Sequence, residues 1–99
     1  MRQNYRPQEV RRMVEEYPAL RAKADTDDAG MYSLLRLADL DWVLSRLPVE
    51  YWEVVLVHGL LGFSQEDTAG LLNISQSAVS KRWRYALEEL TLDINGGLD

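Results

Sequence analysis

Five side chains that can form hydrogen bonds or carry positive charge recur on one helix predicted near the carboxyl end of the chain. They are Gln76, Ser77, Ser80, Lys81 and Arg84. Glutamine pairs with adenine through two hydrogen bonds, lysine reaches the acceptors of guanine, and serine hydroxyls contact either kind of base edge. Each good contact of this kind contributes about 1–3 kcal/mol of discrimination between bases. The chemistry that this spacing predicts is the reading of double-stranded DNA.

Three further residues are candidates for contacts with the phosphate backbone: Ser64, Ser75 and Arg82. Ser64 and Ser75 each precede a predicted helix, where a serine hydroxyl satisfies one of the free backbone N–H groups. Asp67 follows Ser64 by three positions, which is the pattern of a capping box. Arg82 lies beside the buried stripe of its helix, so its alternative role is structural.

The sequence offers no catalytic or metal-binding constellation. The chain has no cysteine, which excludes disulfides and thiolate ligands. His58 is the single histidine, and the acidic residues near it do not have ligand spacing. Neither a glycine-rich phosphate loop nor a serine nucleophile motif is present. We therefore expect no enzymatic activity, no metal ion and no cofactor.

The elements that must position the DNA-reading side chains are two helices joined by a tight turn. The first begins at Ser64, and the small side chain of Ala69 lets the two helices approach closely. Asn73 stands in the turn, where a positive φ is needed and asparagine tolerates it. The second helix begins at Ser75 and runs to about Leu90. Its buried face is predicted from one apolar stripe, which consists of Val79, Trp83, Ala86, Leu87 and Leu90.

Two more helices precede this pair. Residues 31–47 and 49–60 carry apolar residues at helical spacing, and Pro48 separates them. The run 54–57 (VVLV) also has the β-branched composition of a short strand. We prefer a helix there, because the neighbouring segments are helical and leave no strand to pair with it.

We divide the chain into three parts. Residues 1–30 form a basic helical arm, which Pro18 interrupts or bends, and an acidic linker at 25–30. Residues 31–90 form a small all-α domain of four helices with a carboxyl-terminal helix-turn-helix. Residues 91–99 are expected to be a frayed tail. The arm is interpreted either as a solvated helix or as a second contact with phosphates.

The charge of the chain is uneven along its length. Residues 1–23 contain six basic and three acidic residues, a net of +3, whereas residues 24–79 contain two basic and nine acidic residues, a net of −7. An acidic chain binds DNA poorly without sequence preference, so a second copy or a partner that adds affinity is expected. The amino terminus lacks an apolar signal-peptide run, and no apolar stretch approaches the roughly 20 residues of a membrane span. We expect a cytoplasmic protein without a membrane partner.

A resemblance to a known family rests on Leu47-Pro48, Gly62-Phe63-Ser64, Thr68-Ala69, Leu72, Ile74-Ser75, Val79, Arg82, Ala86-Leu87 and Leu90. From Leu37 to Leu90 the chain resembles region four of bacterial sigma factors and of sigma-like phage transcription regulators. The resemblance implies a four-helix, all-α unit that binds the −35 promoter element. It places four residues at the family's base-reading positions, namely Gln76, Ser77, Ser80 and Lys81. Arg82 and Arg84 would then contact the DNA backbone or form local ion pairs.

The leading hypothesis is a sequence-specific DNA-binding transcription regulator of phage- or plasmid-like scale. Its helix 75–90 would enter the major groove. A second hypothesis is a protein-interaction module that binds RNA polymerase or another regulator without reading DNA, which the acidic segment 24–79 favours. A third is the DNA-recognition subunit of a phage packaging machine, since such proteins also carry small helix-turn-helix units. The expected partners are double-stranded DNA and, as further candidates, RNA polymerase and a second copy of the chain.

Overall fold

The computed structural model describes residues 5–24 and 30–96, apart from the side chains of residues 24 and 31–36. In these ranges the regular elements are helical, and no β-strand occurs. The α-helices are α1 (Pro7–Ala24), α2 (Met31–Ser45), α3 (Val49–Val54), α4 (Gln65–Leu72) and α5 (Gln76–Ile94). The prediction of an all-α domain that ends in a helix-turn-helix is confirmed.

The centre of the domain is a single apolar core to which every α-helix contributes. Its buried members are Val10, Met13, Val14, Leu40, Val43, Leu44, Val54, Val55, Ala69, Val79, Trp83, Ala86, Leu90 and Ile94. Trp52 packs against this core and is half-buried, whereas Trp42 is 50% exposed and lies outside it. Among the described residues, no helix is both long and apolar enough to cross a membrane.

Helix α3 continues directly into a π-helical segment, Val55–Leu60. Leu61 N donates to Leu56 O at 2.9 Å, a bond that spans five residues and is typical of a π-helix. The prediction of a helix over residues 49–60 is right, and the strand alternative is wrong. Gly59 makes the tight packing here feasible, because a Cβ at this position would lie 2.8 Å from the Trp83 ring.

Helix α1 is part of the core, although we expected an arm. The side chains of Val10, Met13 and Val14 are fully buried. Helix α1 packs against α2, α5 and the π-helical segment, and it runs through Pro18 without interruption. The amphipathic pattern of α1 therefore describes a core-facing helix. Residues 25–29, where we predicted an acidic linker, lie outside the described residues.

Helix α5 extends four residues beyond its predicted end at Leu90. Ile94, the last residue of α5, is 8% exposed and belongs to the apolar core. Asn95 then joins the two ends of the described chain: Tyr5 N donates to Asn95 Oδ1 at 2.7 Å, and Asn95 Nδ2 donates to Tyr5 O at 2.8 Å. Residues 91–96 thus correct the expectation of a frayed tail, and residues 97–99 lie outside the described residues.

Candidate DNA-binding surface

The first helix of the pair, α4, begins with a cap that the sequence predicts. The hydroxyl oxygen of Ser64 accepts a hydrogen bond from Asp67 N at 3.0 Å. Thr68, which is fully buried, donates from Oγ1 to Ser64 O at 2.7 Å. The reciprocal bond of a capping box, in which Ser64 N would donate to the Asp67 carboxylate, is absent from the described residues. The start of α4 is therefore fixed by the serine hydroxyl and the buried threonine.

The turn between α4 and α5 depends on one left-handed residue. Asn73 has φ 57° and ψ 45°, the conformation that we predicted for it. Its N–H and that of Ile74 both point to the carbonyl oxygen of Ala69, the latter at 3.1 Å. Ile74 is half-buried and packs against the core. The turn thus closes α4, and three residues separate its end from the start of α5.

Helix α5 presents two faces of opposite character. The hydroxyl of Ser75 caps its start by accepting from Ala78 N at 3.0 Å. Four members of the predicted apolar stripe are buried, and the fifth, Leu87, is half-buried against the core. The buried four are Val79, Trp83, Ala86 and Leu90. Because this stripe fixes the rotation of the helix, the opposite face must point to solvent.

The outward face carries the residues that we predicted to read bases. Exposed positions there are Gln76, Ser77, Lys81 and Arg84, and Ser80 is half-buried at the edge. Of the predicted phosphate contacts, Ser64 and Ser75 are exposed, and Arg82 is half-buried on the flank of α5. Both cap hydroxyls accept a backbone hydrogen bond, which leaves each O–H available as a donor. Whether these residues contact DNA stays a prediction.

The cations of α5 differ from three others in the described chain. Arg11, Arg21 and Arg46 each lie within 4.0 Å of a carboxylate oxygen. Among the described residues, no carboxylate oxygen lies within this distance of Lys81, Arg82 or Arg84. From Ser64 to Arg84 the sequence holds these three cations and two acids, a net of +1 in a chain of net −5. This segment, which ends within the third turn of α5, therefore carries a small positive excess that suits contact with phosphate.

An aromatic pair that was not predicted from the sequence borders this surface. Tyr85 is 43% exposed, and its ring centroid lies 4.5 Å from that of Tyr51 in α3. The pKa of Tyr85 is raised, first by the negative charge of Glu89 and then by desolvation. Tyr85 follows Lys81 by four residues, and this helical spacing is the signal that places both on one side of α5.

Together, the capped α4, the left-handed turn and the outward polar face of α5 define a helix-turn-helix domain. Comparison with protein families matches residues 37–90 to sigma-70, region 4. This match covers more than half of the chain, and the chain belongs to this family of DNA-binding helix-turn-helix domains. Comparisons with curated proteins and with solved structures gave no significant match. The match begins within α2, so α1 lies outside it.

Within the part of the chain that the structure describes, no group of three or more histidine or acidic side chains is arranged to hold a metal ion. His58 instead makes two local contacts. Its Nδ1 lies 2.7 Å from Phe63 O, and its ring meets the Trp83 ring edge-on at 5.0 Å. The histidine therefore connects the π-helical segment to the loop that precedes α4.

Proposed function

We propose that this protein is a sequence-specific transcription regulator that places the first half of α5 in the major groove of DNA. The observation that carries the proposal is the exposure of the Gln76, Ser77 and Lys81 side chains on a helix whose opposite face is buried. A major groove about 12 Å wide admits one helix. The proposed mechanism is binding alone, without catalysis.

Two parts of this surface have different roles in the proposed binding mode. Gln76, Ser77 and Lys81 stand within the first two turns of α5, the part of a recognition helix that contacts base edges. Ser64 lies at the start of α4, the helix that crosses the DNA backbone in this architecture. Base contacts would set the sequence preference, and backbone contacts would set the register of the domain on the duplex.

Selection of DNA sites from a random pool by the purified chain tests this proposal. We expect an enriched sequence at low salt, with affinity that falls as salt rises because phosphate contacts release counterions. Sedimentation of the DNA complex would then distinguish one bound copy from two. A pool that stays random at low salt, at protein concentrations favouring monomer and at those favouring dimer, would contradict the proposal.

A second candidate function is docking on RNA polymerase or on another regulator without reading DNA. An open apolar groove of about 410 Å³ between α1, α2 and α3 favours it. Val49 lies in its wall and is 68% exposed, and the half-buried Leu47 and Trp52 add further apolar surface. Large exposed apolar surfaces often mark protein-binding sites.

Affinity capture from a bacterial lysate after nuclease treatment separates the two candidates. Polymerase that the wild-type chain retains, and that Val49→Asp releases, would support docking through the groove. Lys81→Ala is the matched variant on the other surface, and it should retain polymerase while losing DNA. If polymerase is captured only when nuclease is omitted, and only when Lys81 is intact, then DNA alone links the two proteins.

A further inference from the structure

A depression of about 430 Å³ lies between helix α1 and the start of helix α4. Its lining includes Arg11 and Glu15 of α1, His58 of the π-helical segment and Ser64, the cap of α4. Helix α1 lies outside residues 37–90, which the family match covers. The depression therefore brings a guanidinium group from outside the family segment to the edge of the helix-turn-helix.

The position of Arg11 is fixed by the core rather than by its own contacts. Val10, Met13 and Val14 are fully buried and set the rotation of α1, so Arg11 projects from the flank that meets the π-helical segment. The Arg11 side chain is 56% exposed, and its Nε lies 3.9 Å from a Glu15 carboxylate oxygen. An exposed pair at this distance holds the guanidinium weakly, because solvent screens the charges.

We infer that Arg11 contacts a phosphate of the same duplex that α5 reads, so that the DNA interface extends from the helix-turn-helix onto α1. This inference rests on the proposed function. Ser64 connects the two surfaces, because it lines the depression and also caps α4, the helix that crosses the DNA backbone in this architecture. Duplex DNA carries one charge per about 1.7 Å of axis, so a cation beside one phosphate contact is within reach of another.

The other charged groups named around the depression are acidic, so Arg11 determines whether this side of the domain tolerates a phosphate. Glu15 faces the same space, and Glu66 and Asp67 are exposed in the first turn of α4. Without Arg11, the groups named here would present only negative charge to the backbone. Arg11 is thus the cation that makes this side of the domain compatible with a phosphate.

The test compares three forms of the chain on the DNA site obtained by selection: wild type, Arg11→Gln and Arg12→Gln. Arg12 is the matched control, because it is exposed on the same helix but does not line the depression. Loss of one phosphate contact lowers the slope of log K against log salt by about 0.9, which weakens binding roughly eightfold at 0.1 M salt relative to 1 M. We expect this from Arg11→Gln, with an unchanged sequence preference, and little change from Arg12→Gln.

A third variant, Glu15→Gln, has the opposite expected sign, because it removes a repelling charge and releases the guanidinium. Circular dichroism melting curves should be the same for all variants, since these side chains are exposed. If Arg11→Gln keeps the wild-type slope, or if Arg12→Gln loses as much, the inference is wrong while the proposed function stands. If the wild-type chain selects no site, the proposed function fails first and this inference fails with it.

Discussion

Helix α1 and the α4–α5 pair are held in place by contacts of very different range. The pair depends on neighbours along the chain: Asp67 bonds to Ser64, and Ile74 bonds to Ala69. Helix α1 instead depends on distant residues. Its amino end is tied to Asn95, and Tyr17 and Arg21 both contact Asp41 of α2.

Because of this difference, DNA binding and stability depend on different parts of the domain. Local hydrogen bonds shape the helix-turn-helix, so its outward side chains can change without changing the fold. Helix α1 supplies fully buried side chains to the core, so its loss would remove part of the folding free energy of the whole domain. Substitutions of outward side chains in the helix-turn-helix should alter DNA binding, and substitutions of the buried side chains of α1 should alter stability.

The largest expected effect tests whether α1 is integral to the domain. Met13→Ala removes a fully buried side chain and leaves a cavity, which should lower the free energy of unfolding by about 2–5 kcal/mol. Urea denaturation measures this. Leu92→Ala is the control, because Leu92 is 57% exposed, and its cost should stay near 0.5 kcal/mol. Equal costs for the two variants would show that α1 behaves as a detachable arm.

The next effect tests the outward face of α5. Lys81→Ala should weaken binding to the selected DNA site by about 1–3 kcal/mol, because a base contact is lost, while the melting temperature stays nearly constant. Gln76→Ala should relax the preference at one base position. Gln8→Ala, at an exposed position of α1, is the control. Binding that survives the double variant Gln76→Ala, Lys81→Ala would overturn the groove assignment.

The separation in sequence between contacting residues also decides which features could be predicted from the sequence. The caps Ser64 and Ser75 and the left-handed Asn73 were predictable, because each depends on bonds to residues at most five positions away. The helical stripe of α5 was predictable for the same reason. The exposure of Gln76 and Lys81 follows from that stripe, but their contacts with bases remain predictions.

What the sequence did not reveal depends on tertiary contacts. Within the π-helical segment, Gly59 lies close to the Trp83 ring, and these two residues meet only in the folded chain. The depression that holds Arg11 beside Ser64 requires the docking of α1, which its amphipathic pattern allows but does not specify. The bonds between Tyr5 and Asn95 join positions 90 apart in sequence, for which no local signal exists.

A smaller effect on stability is expected from the hydrogen bonds that connect the two ends of the described chain. Asn95→Ala removes the two hydrogen bonds with the Tyr5 backbone, which should cost about 1–2 kcal/mol of unfolding free energy. Asn95→Asp keeps the acceptor for Tyr5 N and loses the donor, so its cost should be intermediate. Hydrogen exchange at the Tyr5 amide should accelerate in Asn95→Ala. Unchanged exchange and stability in both variants would mean that this tie adds nothing to the docking of α1.

A cap substitution in the helix-turn-helix separates folding from binding. Ser75→Ala should cost about 1 kcal/mol, because Ala78 N loses its side-chain partner. Ser75→Asp keeps an acceptor at the cap and should retain stability, yet its negative charge should repel a phosphate and weaken DNA binding. Calorimetry and a binding titration on the same samples measure both properties. Equal DNA affinity for Ser75→Asp and wild type would place Ser75 away from the backbone.

The smallest effect concerns the contact of α1 with α2 and appears only at high pH. The pKa of Tyr17 is raised above 10.0, first by desolvation and then by its hydrogen bond to the Asp41 carboxylate, which the phenol O–H donates. A folded-state pKa above the unfolded value means that this stabilisation is complete below pH 10 and is lost as pH rises through the folded value. The urea midpoint of wild type should exceed that of Tyr17→Phe near pH 8, and the two should converge above pH 10. Because Tyr85 titrates in both proteins, it cancels from the difference, and a gap that is constant with pH would show that the phenol proton does not help to hold α1 against α2.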